Sequence, residues 1–176
     1  SDTEVIYTGG NWGDTFEFFI AAHDAVGHAE SVSRTPTVAI DLPEWGLPIA
    51  VTGADLTALC PAMDSNALEG WDALDEDAPS SSRGTGRITF VGQDPGHAEL
   101  WCDVQPAGDE AVWILDAVPD GQPIVLSWDR ADVPTDHTVS LAATDANGDP
   151  LPETFLDLEL GTTYEITQPS VLALRY

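Results

Sequence analysis

Lysine is absent from this sequence, and its 31 acidic side chains face only five arginines, so the formal net charge is −26 over 176 residues. A surface this negative repels phosphate backbones and anionic lipid. We therefore expect neither nucleic acid nor a membrane surface as a partner. The compact state needs its charge screened by salt, by divalent cations or by a basic partner. The composition is compatible with a saline habitat but does not establish one.

Long apolar runs are also missing, since no stretch approaches the roughly 18 residues needed to span a bilayer. The sequence thus predicts no membrane insertion. It begins at Ser1 without a basic and apolar leader, which is what removal of a signal peptide, or trimming of the chain, leaves behind. We expect an extracellular or cell-surface protein.

Cysteine occurs only twice, as Cys60 and Cys102, and no CxxC metal or redox spacing is present. In an exported protein, two such cysteines are expected to pair. The predicted disulfide closes a loop of about 40 residues, which the chain-entropy model values at roughly 3–4 kcal/mol. Two buried free thiols in a cytosolic protein are the alternative.

Catalytic motifs are lacking as well. No GxSxG sequence and no nucleophilic cysteine with a nearby base motif accompanies the four histidines. His23 and His28 lie five residues apart across a glycine, which fits neither the helical nor the strand spacing of metal-binding histidines. The segment from Asp24 to His28 is better interpreted as a turn. We predict no catalytic residues and a non-enzymatic protein.

The sequence does contain many short runs in which apolar and polar residues alternate, nearly all bounded by Gly, Pro, Asp or Asn. The predicted strands cover residues 3–8, 15–22, 37–42, 87–92, 98–104, 111–117, 123–128, 138–143, 155–160, 163–167 and 171–176. No amphipathic helix longer than two turns is evident. The pattern predicts an all-β protein, an antiparallel β-sandwich of the immunoglobulin-like or jelly-roll type, forming a single domain over 1–176.

One segment interrupts this pattern. Residues 54–83 contain a possible short helix at 54–59, followed by a polar, acidic and serine-rich run. A segment of this length without strands is usually functional, pinned or disordered. We predict an ordered, strand-free insertion that the Cys60–Cys102 disulfide ties to the sandwich.

Two acidic stretches are candidates for calcium binding. Residues 71–77, "WDALDED", are dense in carboxylates but lack a ladder of Ca²⁺ ligands, so a solvated acidic loop is the simpler interpretation. Asp145, Asn147 and Asp149 resemble the first three ligands of a calcium loop. Because the glycine falls at position four and Pro150 follows, a hairpin turn is favoured there. No cofactor is expected, and Ca²⁺ at Asp145, Asn147 and Asp149 is the alternative.

The stretch "PIVLSWDRADVP", residues 123–134, sets Asp129 and Asp132 directly after a strand. These aspartates have no histidine, lysine or metal-spaced partner in the sequence. We interpret Trp128 as a core anchor and the stretch as a feature of the fold.

Six tryptophans raise the possibility of a carbohydrate platform, in which exposed aromatic rings lie beside amide and carboxylate groups. Three of them, Trp101, Trp113 and Trp128, fall within alternating strands and are predicted to be core residues. The other three, Trp12, Trp45 and Trp71, lie in turn-rich contexts. These three are the candidate ligand platform.

The N-terminus offers a different kind of site. The segment "SDTEVIYTGG" begins as a strand and ends in a Gly-Gly pair. A strand on such a hinge can complete its own sheet or be donated to a neighbour. The candidate interface residues are Thr3, Val5, Ile6, Tyr7, Gly9 and Gly10. An ordinary first strand followed by a turn is the alternative.

The C-terminal third contains four elements in order. They are a strand with a tryptophan, "AVWILDAV"; a turn followed by a strand, "GQPIVLSWDRADVP"; a strand, a hairpin and a second strand, "HTVSLAATDANGDPLPETFLDLELGTTYEI"; and a closing strand, "VLALRY". Residues 111–176 thereby resemble the immunoglobulin-like β-sandwich module related to the flagellar hook-capping protein, found near the C-termini of exported bacterial proteins. The resemblance implies a non-catalytic support or surface-interaction unit and says little more about function.

These observations favour a secreted structural protein, a self-assembling subunit of an extracellular filament or surface layer. Its partner would be a second copy of itself, through edge-strand pairing or donation of the N-terminal strand. The alternatives are a carbohydrate-binding accessory module with a glycan partner, and a calcium-dependent adhesin.

Overall fold

Strands make up nearly all of the regular structure. The computed structural model describes residues 43–80 and 85–176, together with four short backbone segments nearer the N-terminus. Backbone contacts group the chain into two compact units, residues 1–42 and 43–176. The first unit contains β1 (Thr15–Phe16), β2 (Ile20–His23), β3 (Ala29–Val32) and β4 (Val38–Ala39). β1 pairs with β4 and β2 with β3, both antiparallel.

The second unit contains twelve strands. They are β5 (Trp45–Gly46), β6 (Ile49–Thr52), β7 (Ala58–Asp64), β8 (Glu76–Asp77), β9 (Arg87–Asp94), β10 (His97–Pro106), β11 (Val112–Val118), β12 (Ile124–Ser127), β13 (Ser140–Ala143), β14 (Leu156–Asp157), β15 (Thr163–Ile166) and β16 (Ser170–Arg175). Two 3₁₀ turns, Arg130–Asp132 and Pro152–Thr154, are the only helical elements described. Within the described ranges, no helix is long and apolar enough to cross a membrane.

The twelve strands form one mixed sheet. Its hydrogen-bonded path runs β14-β13-β16-β11-β9-β10-β7-β6-β12-β15, while β5 pairs with β7 and β8 with β10. The all-β class is therefore confirmed. The expectation of a purely antiparallel arrangement is wrong at one place, since β7 and β10 run parallel.

The sheet curls so that its two ends approach each other. β14 ends at Asp157 and β15 begins at Thr163, so the connection between the two end strands spans at most roughly 20 Å. One buried cluster accordingly takes side chains from both ends of the path, including Ile124 and Leu126 from one end and Leu141 from the other.

Alternation along the strands fills this core. The strand β11 buries Trp113, Leu115 and Ala117 and turns the intervening residues outward. The same period of two places Ile124 and Leu126 of β12 inside. Trp113 and Trp128 are buried, as expected for core residues, but Trp101 is only half-buried, so its prediction as a core residue is wrong.

The strands predicted between residues 87 and 176 are present, with ends that differ by a few residues. The prediction of a strand-free insertion at 54–83 is wrong, because β7 and β8 lie within these residues. The prediction of a short helix at 54–59 is wrong as well.

The sequence of β7, "ALCPAMD", has weak strand propensity and a proline at its centre. Pro61 has no N–H to donate, but its carbonyl accepts the Leu47 N–H at 3.0 Å.

The two cysteines face each other across the parallel pair, with Cys60 of β7 in register with Cys102 of β10. Both are free thiols in this structure. A hydrogen bond with Cys60 and burial both raise the pKa of the Cys102 thiol far above its ordinary value. The predicted link between this segment and β10 is therefore present as strand pairing, and the disulfide itself stays a prediction.

Candidate ligand-binding cleft

The segment 65–80 follows β7 and is attached to β10. Its strand β8 pairs with β10 at Leu100 and Cys102. The indole N–H of Trp101 donates to Glu76 at 3.1 Å, and the Val104 N–H donates to the Asp75 carboxylate at 2.8 Å. The acidic side chains thus hold the segment in place.

Carboxylates also fold the segment locally. The Asp72 carboxylate accepts the N–H groups of Leu68 and Leu74, both at 2.7 Å. The second oxygen of Asp75 accepts the Asp72 N–H at 2.8 Å. Asp75 is only 6% exposed. Residues 71–77 are therefore not a fully solvated acidic loop, because Asp75 is buried where it accepts hydrogen bonds from backbone N–H groups.

A cleft of about 390 Å³ lies between this segment and the strands β9, β10 and β11. Four large apolar side chains line it and remain exposed, and we call them the apolar rim: Leu68 (64%), Trp71 (42%), Val91 (45%) and Val112 (39%). Asp75, Asp103 and Gln105 also line the cleft. The site combines exposed apolar groups with carboxylates and an amide.

Trp71 is held in a fixed orientation by its neighbour His97. The two rings stack with centroids 3.8 Å apart and planes 12° from parallel. The imidazole is itself held by Asp77, whose carboxylate lies 2.9 Å from Nδ1. The exposed indole is therefore preorganised at the cleft rather than free to turn.

The charged groups that line the cleft are acidic. Burial, followed by the charge of Asp75, raises the pKa of Asp103 to about 6, while a hydrogen bond with Gln105 opposes this shift. Burial also raises the pKa of Asp75. Glu69 is a third carboxylate along the cleft, and none of its described lining residues is basic.

The three candidate platform tryptophans have different surroundings. Trp71 lines the cleft. Trp45 packs against Trp113 and Tyr176, with ring centroids 5.7 and 4.7 Å away, so little of its ring is available to a ligand. Trp12 lies outside the described residues.

The candidate calcium residues form a turn. The Asp145 carboxylate accepts the N–H groups of Asn147 and Asp149 at 2.8 and 3.0 Å, and these bonds lower the pKa of Asp145. Gly148 adopts φ +86°, as a tight hairpin requires. Across the described ranges, no three His, Cys, Asp or Glu side chains are grouped as metal ligands would be.

Asp129 and Asp132 also have structural positions. The Asp129 carboxylate accepts the Ala131 N–H at 2.9 Å and caps the 3₁₀ turn that contains Asp132. The candidate donor strand, Thr3 to Gly10, lies outside the described residues.

Sequence reasoning missed Asp103, Gln105 and most of the apolar rim. One signal was present: in "WCDVQ", Asp103 and Gln105 alternate with the buried Cys102 and Val104, which places both on the outer face of β10. The rest could not be found, since Leu68, Val91 and Val112 come from separate segments that only the fold brings together.

Comparison of the chain with protein-family models, curated proteins and solved structures finds no match. The resemblance of residues 111–176 to the hook-capping-related module accordingly stays a prediction.

Proposed function

We propose that this is a non-enzymatic, secreted structural protein that functions as a subunit of an extracellular assembly, with the cleft as a docking surface for a neighbouring chain. The observation that carries the proposal is the apolar rim, in which four exposed large side chains converge on one cleft. Exposed apolar groups scattered singly are ordinary, whereas a group of them around a concave site is typical of an interaction surface. An immunoglobulin-like sandwich, proposed from the resemblance, is a common support for such surfaces.

The rim can be tested on material purified from the cells that make the protein. We expect electron microscopy to show ordered polymers or layers, and expect Leu68→Ser combined with Val112→Ser to abolish them. Leu160→Ser is the matched control, because Leu160 is 76% exposed and does not line the cleft. Monomeric native material, or assemblies unaffected by the double substitution, would contradict the proposal.

Donation of the N-terminal strand to a second copy would be a further contact in the same assembly, made at a sheet edge that does not line the cleft. The path of paired strands ends at β15, whose outer edge has no strand partner in the described part of the chain. Such an edge accepts an added strand through main-chain hydrogen bonds. Deletion of residues 1–8 should then prevent assembly while the monomer stays folded. Unchanged polymers would exclude donation of this strand.

Export would also provide the oxidant for Cys60 and Cys102. Their register across β7 and β10 places the thiols side by side. Transfer of two electrons and two protons to an extracellular disulfide or quinone oxidant would join the sulfurs. We therefore retain the disulfide as part of the proposal.

Carbohydrate binding is the second candidate function, and the stack of Trp71 on His97 favours it. A flat, exposed indole that is held in orientation can pack against the C–H face of a sugar, and Asp103 and Gln105 lie along the same cleft to accept or donate hydrogen bonds. A glycan array screened with the wild type and Trp71→Ala tests this. Glycan binding that survives the substitution would exclude the cleft as the sugar site.

A further inference from the structure

Among the residues that the structure describes, no basic side chain lines the cleft to balance its carboxylates. Asp75 and Asp103 are close enough for the charge of Asp75 to act on Asp103, and Glu69 lines the same space. Arg87, the arginine of β9, is already paired with Glu99 and Asp116. Like charges that are partly removed from water destabilise one another, so a cation entering the cleft would be favoured.

The apolar rim restricts what kind of cation fits. A metal ion would leave Leu68, Trp71, Val91 and Val112 exposed, and the described residues contain no metal-type ligand group. A lysine or arginine side chain has an apolar stem and a cationic end, and its neighbours in a peptide can cover the rim. The exposed indole of Trp71 adds a favourable surface for the cationic group.

This chain is poorly equipped to supply that group itself. It contains no lysine and only five arginines against 31 acidic side chains, and its N-terminal ten residues hold Asp2 and Glu4 without any basic residue. A net charge of −26 also makes a second copy a poor occupant of this acidic cleft, whereas it attracts a basic protein over long range.

We propose that the cleft binds a lysine or arginine side chain presented by an extended segment of a different, basic protein. The apolar rim contacts the segment, and Asp103 binds the cationic end, with the charge of Asp75 close behind it. The inference rests on the proposed role of the cleft as a docking surface, and it identifies the neighbour at the cleft as a second type of subunit.

The test uses an array of acetylated and amidated pentapeptides whose central residue is lysine, arginine, acetyl-lysine or norleucine and whose flanks vary among Ala, Leu, Val and Tyr. Labelled full-length protein is applied in about 0.15 M NaCl near pH 7.5, where Asp103 is ionised. We expect lysine and arginine peptides to be retained about tenfold more strongly than acetyl-lysine peptides with the same flanks.

Three variants locate and validate this preference. Trp71→Ala should weaken all peptides. Asp103→Asn should reduce the preference for lysine over acetyl-lysine to less than about threefold, and it should fold, because burial disfavours the ionised carboxylate that it removes. Glu159→Gln removes the same unit of charge from an exposed site and should leave the preference unchanged.

The possible failures are distinguishable. If binding depends on Trp71 but is equally strong for charged and uncharged central residues, the cleft is still a docking surface. The proposal that its partner is basic would then be overturned. A lysine preference that Asp103→Asn and Glu159→Gln affect equally would be non-specific attraction and would also overturn it. Absence of any Trp71-dependent peptide binding would overturn both proposals.

Discussion

The indole N–H of Trp128 donates a hydrogen bond of 3.1 Å to the carbonyl of Leu158. Trp128 follows β12, and Leu158 begins the short connection from β14 to β15. The Leu158 N–H in turn donates to the Val139 carbonyl at 2.9 Å, just before β13. Leu158, which is 1% exposed, therefore bonds to residues near both ends of the strand path. This pair of contacts holds the curled sheet closed.

Replacing Trp128 with phenylalanine should destabilise the fold. The substitution leaves the buried Leu158 carbonyl without its donor, which costs about 1–3 kcal/mol, and the smaller ring adds a packing loss. Urea unfolding measures the change. Trp71→Phe is the control, because Trp71 is exposed and phenylalanine can still stack on His97. A Trp128→Phe free energy of unfolding within about 0.5 kcal/mol of the wild type would contradict the role of this bond.

Replacing Asp75 with alanine should loosen the segment that forms one wall of the cleft. The change removes the acceptor for the N–H groups of Val104 and Asp72 at a site that is 6% exposed. We expect a loss of about 1–3 kcal/mol in the free energy of unfolding. Amide hydrogen exchange should show reduced protection at Val104. Asp120→Ala, at an exposed position, is the control, and unchanged protection at Val104 would contradict the prediction.

The sequence predicted the all-β class and most strands after residue 87 because those strands alternate regularly and are separated by strong turn signals such as Asn147-Gly148. It did not predict β7, since alanine, cysteine and proline give no strand period. It did place Trp71 in a turn-rich context, and in the structure Trp71 lies outside the strands. The charge environment of Asp103 could not be predicted, because it depends on Asp75, which is 28 residues away in sequence and approaches β10 only in the folded chain.

Asp103 should give stability a measurable dependence on pH. Its pKa is raised to about 6 in the folded state, whereas an unfolded aspartate titrates near about 3.9. Between these values the folded chain holds a proton that the unfolded chain has released, so stability falls as pH rises through this window and levels off above it. Allowing for partial exposure, the loss is roughly 1–2 kcal/mol.

Urea unfolding at several pH values between those two limits measures this effect against Asp103→Asn, which has no carboxyl to titrate. The free energy of unfolding of the variant should fall less steeply with rising pH than that of the wild type. The fall that remains is due to Asp75, whose pKa is also raised. The difference between the two curves isolates Asp103 from the other acidic residues. Parallel curves for the wild type and the variant would show that Asp103 titrates normally.

Oxidation of Cys60 and Cys102 should stabilise the protein further. Joining the two residues closes a loop of about 40 residues in the unfolded chain, which corresponds to roughly 3–4 kcal/mol. Because the pKa of the Cys102 thiol is raised, little thiolate is present and we expect slow spontaneous oxidation. A disulfide catalyst should accelerate this oxidation.

After oxidation, the intact mass should fall by the mass of two hydrogens, and the melting temperature should rise. Reduction should return the melting temperature to its original value. Cys60→Ser and Cys102→Ser should show neither change, and two titratable thiols remaining after catalysed oxidation would contradict the pairing.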